Sequence, residues 1–466
     1  MWIASGAMST LPAMTMWLPN LEWRRGPVYR AIADAIDQGV QDGTLRAGTR
    51  LPPHRDLADH LGVTVTTITR AYTEAARRGL TSGHVGRGTF IRGHEPEDLG
   101  NDTGVLDLSI NILMPDQEVA RLEARLFQRR VLPWTQILSY VPSRGHLRHR
   151  QAMAAWLARF GLIVDPERVV LTGGGQHAMA SAFSAALKPG DTLLVEELTY
   201  SGARVLAEQM HFRTRGVAID AEGLKPDALE QACRSSRARV LYCMPRLHNP
   251  TSAIMSERRR KQIAAIAERY KLTVIEDDVY GFASPERAPL AALLPERVIY
   301  INSMSKSLFP GMRLGCAVAA PVLLEKVARA VWSTMIMASP IGADLLCGWI
   351  EDGTAARIVE WKRHEIAARH QMARRLLRDE RIQTHPTSPH IWLYLPARWT
   401  VDAFVAQARA RGVIVNGAGS FAATDDYSRA VRLCIGTPRT RAGLEQALAR
   451  IVGALADRVP AARAVV

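Results

Sequence analysis

The sequence predicts an α/β protein in two parts: a small helical head closed by a hairpin, then a large domain on a mostly parallel sheet. Three observations lead there. Residues 27–78 repeat apolar side chains at helical spacing in three short runs. A glycine-rich stretch with β-branched and apolar residues follows at 81–91. Beyond residue 105, short β-rich apolar runs alternate with helical patterns, as expected of strands covered by helices.

The head comes first. From Pro27 to Asp42, Val28, Ile32, Ala35, Ile36 and Val40 share one helix face, and Gly43 stops the helix. Two further helical patterns flank Gly62. One carries Leu57, Ala58 and Leu61; the other runs from about Thr66 to Arg78 with Ile68, Ala71, Tyr72 and Ala75 inward. Two helices joined by a short turn containing glycine make a helix-turn-helix. Gly83, Gly86 and Gly88 then suggest a hairpin, giving a winged helix-turn-helix. Any small helical domain with a hairpin shares this pattern, so charge is what favours DNA. Residues 70–92 hold five arginines and one acid, and phosphate neutralisation needs such a concentration. Thr66, Thr67 and Thr69 add hydroxyls for phosphates or bases.

The whole chain of 466 residues carries a net charge of +14, a weaker clue to a polyanion. Residues 1–20 read as a flexible leader. They lack the positive start of a signal peptide, and Met8, Met14 and Met16 are alternative starts. Residues 21–93 form the head, 94–104 an acidic linker, and 105–466 the second domain. Five scattered cysteines show no disulfide framework or metal spacing, which favours a reducing, cytoplasmic compartment. No apolar run reaches 18 residues, so no membrane helix is expected.

In the second domain, strands are predicted at Val169–Leu171, Thr192–Val195, Val240–Tyr242, Thr273–Ile275 and Val298–Ile301, with a helix over 257–270 among the separating segments. Ligands sit at the carboxyl ends of such strands. Three polar motifs fall there. Thr172 to His177 is either an anion cradle on glycine N–H groups or a tight strand-to-helix turn. Ile275 to Tyr280 offers an acid that holds a cationic ring nitrogen or caps a helix, with Glu276 and Asp278 as alternatives to Asp277. Ser303-Met304-Ser305-Lys306 precedes Pro310-Gly311-Met312-Arg313 in a Gly/Pro-bounded loop. That suits a Schiff-base lysine beside a phosphate-binding arginine, or a surface lysine. The chain has only seven lysines, which gives this one weight.

The head resembles the DNA-binding domain of GntR-type bacterial regulators. That resemblance implies DNA contacts from Arg55, Thr66, Thr67, Arg70 and, in the wing, Arg87. Val65 stands where the family often has an arginine. The rest resembles the fold-type I pyridoxal 5′-phosphate (PLP) aminotransferases over nearly all of 105–466. By that resemblance Lys306 carries the cofactor, and Ser303, Ser305 and Arg313 bind its phosphate with Gly174, Gly175 and Gln176. Asp277 pairs with the ring nitrogen, Tyr280 and Asn249 contact the ring hydroxyl, and Tyr200 stacks on the ring. Arg432 clamps a substrate carboxylate, and Tyr140 is lent to the phosphate of a partner subunit, which implies a homodimer. Leu198, Ser252 and His177 depart from the family pattern.

A GntR-like head fused to an aminotransferase-like domain resembles the MocR subfamily of regulators. The resemblance implies a PLP-dependent transcriptional regulator that binds double-stranded DNA and senses an amino compound or PLP itself. The alternatives are an active class I/II aminotransferase with a vestigial head, or a PLP sensor that accepts no amino acid. The expected location is the bacterial cytoplasm, at the nucleoid when DNA is bound. No metal is expected.

Overall fold

A computed structural model describes residues 17–19, 27–41, 44–45, 49–78, 80–84, 88–91, 105–113 and 132–457. The chain divides into two compact units, 1–102 and 103–466. The readings for Arg87, Gly86, the linker at 94–104 and the leader other than 17–19 lie outside the described residues.

In the first unit, helices α1 (Val28–Gln41), α2 (His54–Leu61) and α3 (Val65–Arg77) precede strands β1 (Thr81–His84) and β2 (Gly88–Ile91). Ile32 and Ile36 of α1 pack with Leu57 of α2 and Ile68, Ala71, Tyr72 and Ala75 of α3, the faces that the spacing predicts. Gly62 ends α2 at φ 64°, a left-handed position that glycine fills without strain. Thr64 caps α3, its hydroxyl accepting the Thr67 N–H at 3.2 Å. Arg78 bonds Asp34 of α1 (2.6 Å) and Glu74 of α3 (2.9 Å), tying the two helices. The β1–β2 hairpin is antiparallel, with Thr81 opposite Ile91.

The second unit begins with β3 (Leu106–Asp107). Its main-sheet strands are β4 (Val169–Thr172), β5 (Thr192–Glu196) and β6 (Arg213–Val217). A small hairpin of β7 (Ile219–Asp220) and β8 (Gly223–Leu224) intervenes before β9 (Val240–Cys243), β10 (Thr273–Asp277), β11 (Val298–Ser303) and β12 (Gly315–Val318). The sheet has seven strands in the order β4-β12-β11-β10-β9-β5-β6. It is mostly parallel; β12 alone runs against both its neighbours. Helices cover it, so strand side chains are buried nearly throughout. Reversing twice through β12 leaves β4, β10 and β11 running the same way. Their carboxyl ends therefore share one sheet edge.

Three features differ from the sequence expectations. The strands run further than their apolar cores. Glu276 and Asp277 end β10, and Ser303 ends β11, instead of following the strands. The cause is backbone pairing, which continues through polar residues where the sheet edge buries them. Lys306 lies in a one-turn helix, Met304–Ser307, and not in a loop, because Ser303 caps that turn. A second, antiparallel sheet was not anticipated. It joins β13 (Ile382–Gln383), β14 (His390–Tyr394), β17 (Ala430–Cys434) and β16 (Asn416–Gly417) in that order. β15 (Val413–Ile414) pairs in parallel with β3. Leu393, Val431, Leu433, Leu444, Leu448 and Ile451 build the core beneath. Among the described residues no helix is long and apolar enough to cross a membrane, and no His/Cys/Asp/Glu group has metal-site geometry.

Candidate functional site

The carboxyl end of β4 opens into an anion cradle. The helix Gly175–Ala186 starts directly after it, with Gly174 at φ 91° before its first turn. Its leading N–H groups favour a negative charge. Arg313, itself left-handed at φ 45°, reaches across to donate to Gly173 O (3.3 Å) and Ser305 Oγ (3.4 Å). Ser303 Oγ accepts from Ser305 N–H (3.2 Å) and donates to Ser305 Oγ (3.1 Å). The approach is tight enough to demand glycine: a Cβ on Gly174 would lie 2.8 Å from Arg313 Nη2, and one on Gly315 2.7 Å from Asn302 O. Among the described residues Arg313 bonds neutral oxygens only. His177 Nδ1 accepts the Gly173 N–H (3.1 Å), so its Nε2 carries the proton donated to Thr334 Oγ1 (2.7 Å). That gives the histidine at this departure from the family pattern a bracing task.

Three successive acids at the end of β10 have three separate fates. Glu276 accepts the N–H groups of Leu290 (2.9 Å) and Ala291 (2.8 Å). Asp278 accepts Arg246 Nε–H (2.8 Å) and the Tyr300 hydroxyl (2.5 Å). Asp277 accepts only the Tyr242 hydroxyl (2.7 Å) and Val279 N–H (3.3 Å), and burial pushes its carboxyl up to about 6. Asp278 is thus committed to Arg246 and Glu276 to the helix that starts at Leu290, while Asp277 meets one hydroxyl and one N–H.

Lys306 Nζ donates to Asn111 O at 2.6 Å, and burial lowers its pKa. Asn111 Nδ2 donates to the Tyr280 hydroxyl (2.8 Å) and to His390 Nδ1 (2.9 Å). His390 is driven down to about 3 by burial, so the ring is neutral and Nε2–H donates to His248 O (3.1 Å). Arg432, on β17, donates from Nη1 to Asn249 Oδ1 (2.7 Å) and from Nη2 to Ser109 O (2.5 Å). Its guanidinium lies 4.7 Å from the Phe421 ring centre, and among the described residues its buried Nε has no hydrogen-bond partner. The Tyr200 hydroxyl donates to Gln176 Oε1 (3.3 Å), and Gln176 Nε2 donates to Gly202 O (3.3 Å). Gln176 thus braces Tyr200. Tyr140 is 81% exposed, and a single chain does not bring it to these residues.

On the head, Arg55, Thr66 and Arg70 are exposed and Thr67 is half-buried beside the Thr64 hydroxyl (2.9 Å). The Arg70 guanidinium stacks 4.7 Å from the Tyr29 ring centre.

Residues 103–451 match the family of class I and II aminotransferases, and residues 28–91 match the gntR family of bacterial regulatory proteins. The uncharacterized HTH-type transcriptional regulator YdeF of Bacillus subtilis is 31% identical over 93% of this chain and 95% of its own length. The chain is a MocR-type protein. A second relative, the vitamin B6 salvage pathway transcriptional repressor PtsJ of Salmonella typhimurium, is 29% identical, covering 81% of this chain and 88% of its own length. The crystal structure of LysN, an alpha-aminoadipate aminotransferase from Thermus thermophilus, superposes with a TM-score of 0.67 at 27% identity, covering 76% of this chain and 92% of that one. That structure holds N-(5′-phosphopyridoxyl)-L-leucine.

The residues of this MocR-type chain fit PLP, its cofactor. Among the described residues, Arg313 of the cradle bonds no anion and the buried Asp277 carboxyl bonds no cation. Lys306 supplies a primary amine at the same sheet edge, and Arg432 keeps an unpartnered buried N–H. Asp277 gives a test. A carboxyl with raised pKa favours folding in its protonated form. Its contribution is full below pH about 4 and is lost as pH rises through about 6. Asp277→Asn removes that titration. In cofactor-free protein, variant stability minus wild-type stability is expected to grow by about 2–3 kcal/mol from pH 4 to pH 8 in urea unfolding. A difference flat with pH contradicts an uncompensated carboxyl.

Three residues escaped the sequence reading. Asn111 lies in a segment without periodicity, and His390 reads as an ordinary strand residue. Lys362 carried a signal, as one of seven lysines inside a helical run. It is buried, donates to Lys306 O (3.2 Å) and Leu308 O, and is pushed down to about 7 by burial and by Lys306. It fixes the backbone of the turn that carries Lys306.

Proposed function

We propose that the head of this PLP-dependent regulator binds double-stranded DNA and that its aminotransferase-like domain takes an amino compound, or PLP alone, as effector. One observation carries this reading. A single chain joins a helix-turn-helix with an exposed Arg55/Thr66/Arg70 face to a site holding Lys306, Asp277, Arg313 and Arg432.

Arg313, Ser303, Ser305 and the N-terminus of the helix that starts at Gly175, after Gly174, would hold the phosphate. Asp277 would hold a protonated ring nitrogen. The Tyr280 hydroxyl, positioned by Asn111, serves the ring hydroxyl with Asn249, and Tyr200 covers the ring face. Burial lowers the Lys306 pKa, and its amine would be the group that holds the cofactor. Bound there, PLP supplies a carbonyl for primary amines and an electron sink. Arg432 presents its fork to a carboxylate. The effector acts only as far as it binds two arrangements of the protein with different affinity.

We assign the working unit as a homodimer in which exposed Tyr140 completes the partner's phosphate site. The domains run as head 21–93, linker 94–104 and effector domain 105–466, and the location is the cytoplasm, at the nucleoid when DNA is bound. The intact lysine, aspartate and arginine set also supports transamination as a second activity of the same pocket. Footprinting of DNA upstream of the protein's own and neighbouring genes tests regulation. Protection that changes with PLP or amino compounds is expected. No protection at low salt favours the enzyme with a vestigial head.

A further inference from the structure

Residues 105–113 are the first described stretch after the gntR-family match ends at residue 91. Their first half is fixed by backbone bonds. Leu106 N–H donates to Gly412 O (2.8 Å), Leu108 N–H to Ile414 O (2.9 Å), and Cys434 N–H to Leu108 O (2.8 Å). Further along, the carbonyls are held by side chains. Ser109 O accepts from Arg432 Nη2 (2.5 Å) and Asn416 Nδ2 (3.0 Å). Ile110 O accepts from Thr437 Oγ1, and Asn111 O from Lys306 Nζ (2.6 Å). Two of these four side chains are the ones a carboxylated amine would engage: Arg432 through its carboxylate, Lys306 through its amine.

Arg432 decides the direction of the effect. It is 6% exposed, bonds the neutral oxygens of Asn249 and Ser109, and has a buried Nε without a hydrogen-bond partner among the described residues. A buried guanidinium bonded to neutral oxygens draws an anion. A carboxylate arriving there neutralises the guanidinium. It also sets a negative oxygen near the Ser109 carbonyl, itself the negative end of a dipole. Both effects weaken the Arg432–Ser109 bond. A ligand with phosphate and ring but no carboxylate leaves that bond intact.

We propose that residues 109–113 are a strap that reports the occupant of the site: a carboxylate on Arg432 loosens the strap, and the change enters the chain at the linker leading back to the DNA-binding head. The inference rests on the reading that the site takes an amino compound, and it narrows the effector to amines that carry a carboxylate. Elements held by few backbone bonds open first, which suits a reporter.

Hydrogen exchange of the full chain, followed by mass spectrometry, tests this with two probes. Pyridoxamine 5′-phosphate has the phosphate and ring alone. N-(5′-phosphopyridoxyl)-L-leucine adds a carboxylate. Peptides covering 105–113 are expected to exchange several-fold faster with the leucine conjugate than with pyridoxamine phosphate. Arg432→Lys, which keeps the charge but loses the fork, should erase the difference. Equal or slower exchange with the conjugate, while both probes protect the cradle around Gly174 and Gly175, overturns the strap and leaves the cofactor reading standing. No protection of the cradle by either probe overturns both.

Discussion

Lys306→Ala is expected to abolish the visible absorption of PLP-loaded protein and to leave no cofactor mass on the chain after borohydride reduction. Wild type should retain one cofactor per chain, on the peptide containing Lys306. The loss should be complete, because no other amine is placed to substitute. Lys362 shares a small cavity with Lys306, but its amine is held by the carbonyls of Lys306 and Leu308, to which it donates. Those carbonyls survive the substitution, and so does the Ser303 cap, so the turn should persist. The phosphate cradle is untouched, and noncovalent PLP binding should remain measurable by quenching of tryptophan fluorescence. Label appearing at Lys362, or an unchanged spectrum, contradicts the assignment.

Asp278→Ala should be the most damaging change to the fold. Arg246 and Asp278 are 0% and 1% exposed at their side chains and pair with each other. The Tyr300 hydroxyl donates to the same carboxylate (2.5 Å). Removing Asp278 strands a guanidinium in the interior and leaves a buried hydroxyl without its acceptor. Breaking a buried pair from one side costs about 3–5 kcal/mol. A fall of that size in unfolding free energy by urea titration is expected. Arg246→Met combined with Asp278→Leu should recover much of it, because the stranded charge goes too. The loop from Asp277 to Tyr280 depends on this pair, so cofactor retention should drop with stability.

Much of this was readable in the chain. The head's helices follow from Ile32, Ile36, Ile68 and Tyr72 because a small domain has one core, and spacing alone identifies it. The motifs around Gly174, Asp277 and Lys306 were legible because their chemistry needs rare residue types in fixed order. The β13-β14-β17-β16 sheet was not, since its strands are short and interrupted, and pairing between Trp392 and Arg432 spans 40 residues of sequence. The separate partners of Glu276, Asp277 and Asp278 were not legible either. Alternation in a strand separates neighbours onto opposite faces, and only the packing shows which face holds the site. Asn111 was invisible for a related reason: its partners Tyr280 and His390 lie 169 and 279 residues away.

If one chain couples an amine-binding site to DNA, the two affinities must move together. Reciprocal titration tests it most directly. Using a protected DNA fragment, the DNA dissociation constant is measured by fluorescence anisotropy with PLP-loaded protein. The titration is repeated at saturation with an amino compound that shifts the cofactor spectrum. The affinity of that compound is then measured with and without saturating DNA. Each ligand should change the other's affinity by the same factor, about 5- to 150-fold for ordinary coupling energies. Lys306→Ala should remove the effect of the amino compound while DNA binding itself persists. DNA affinity unmoved by a saturated site would contradict this coupling.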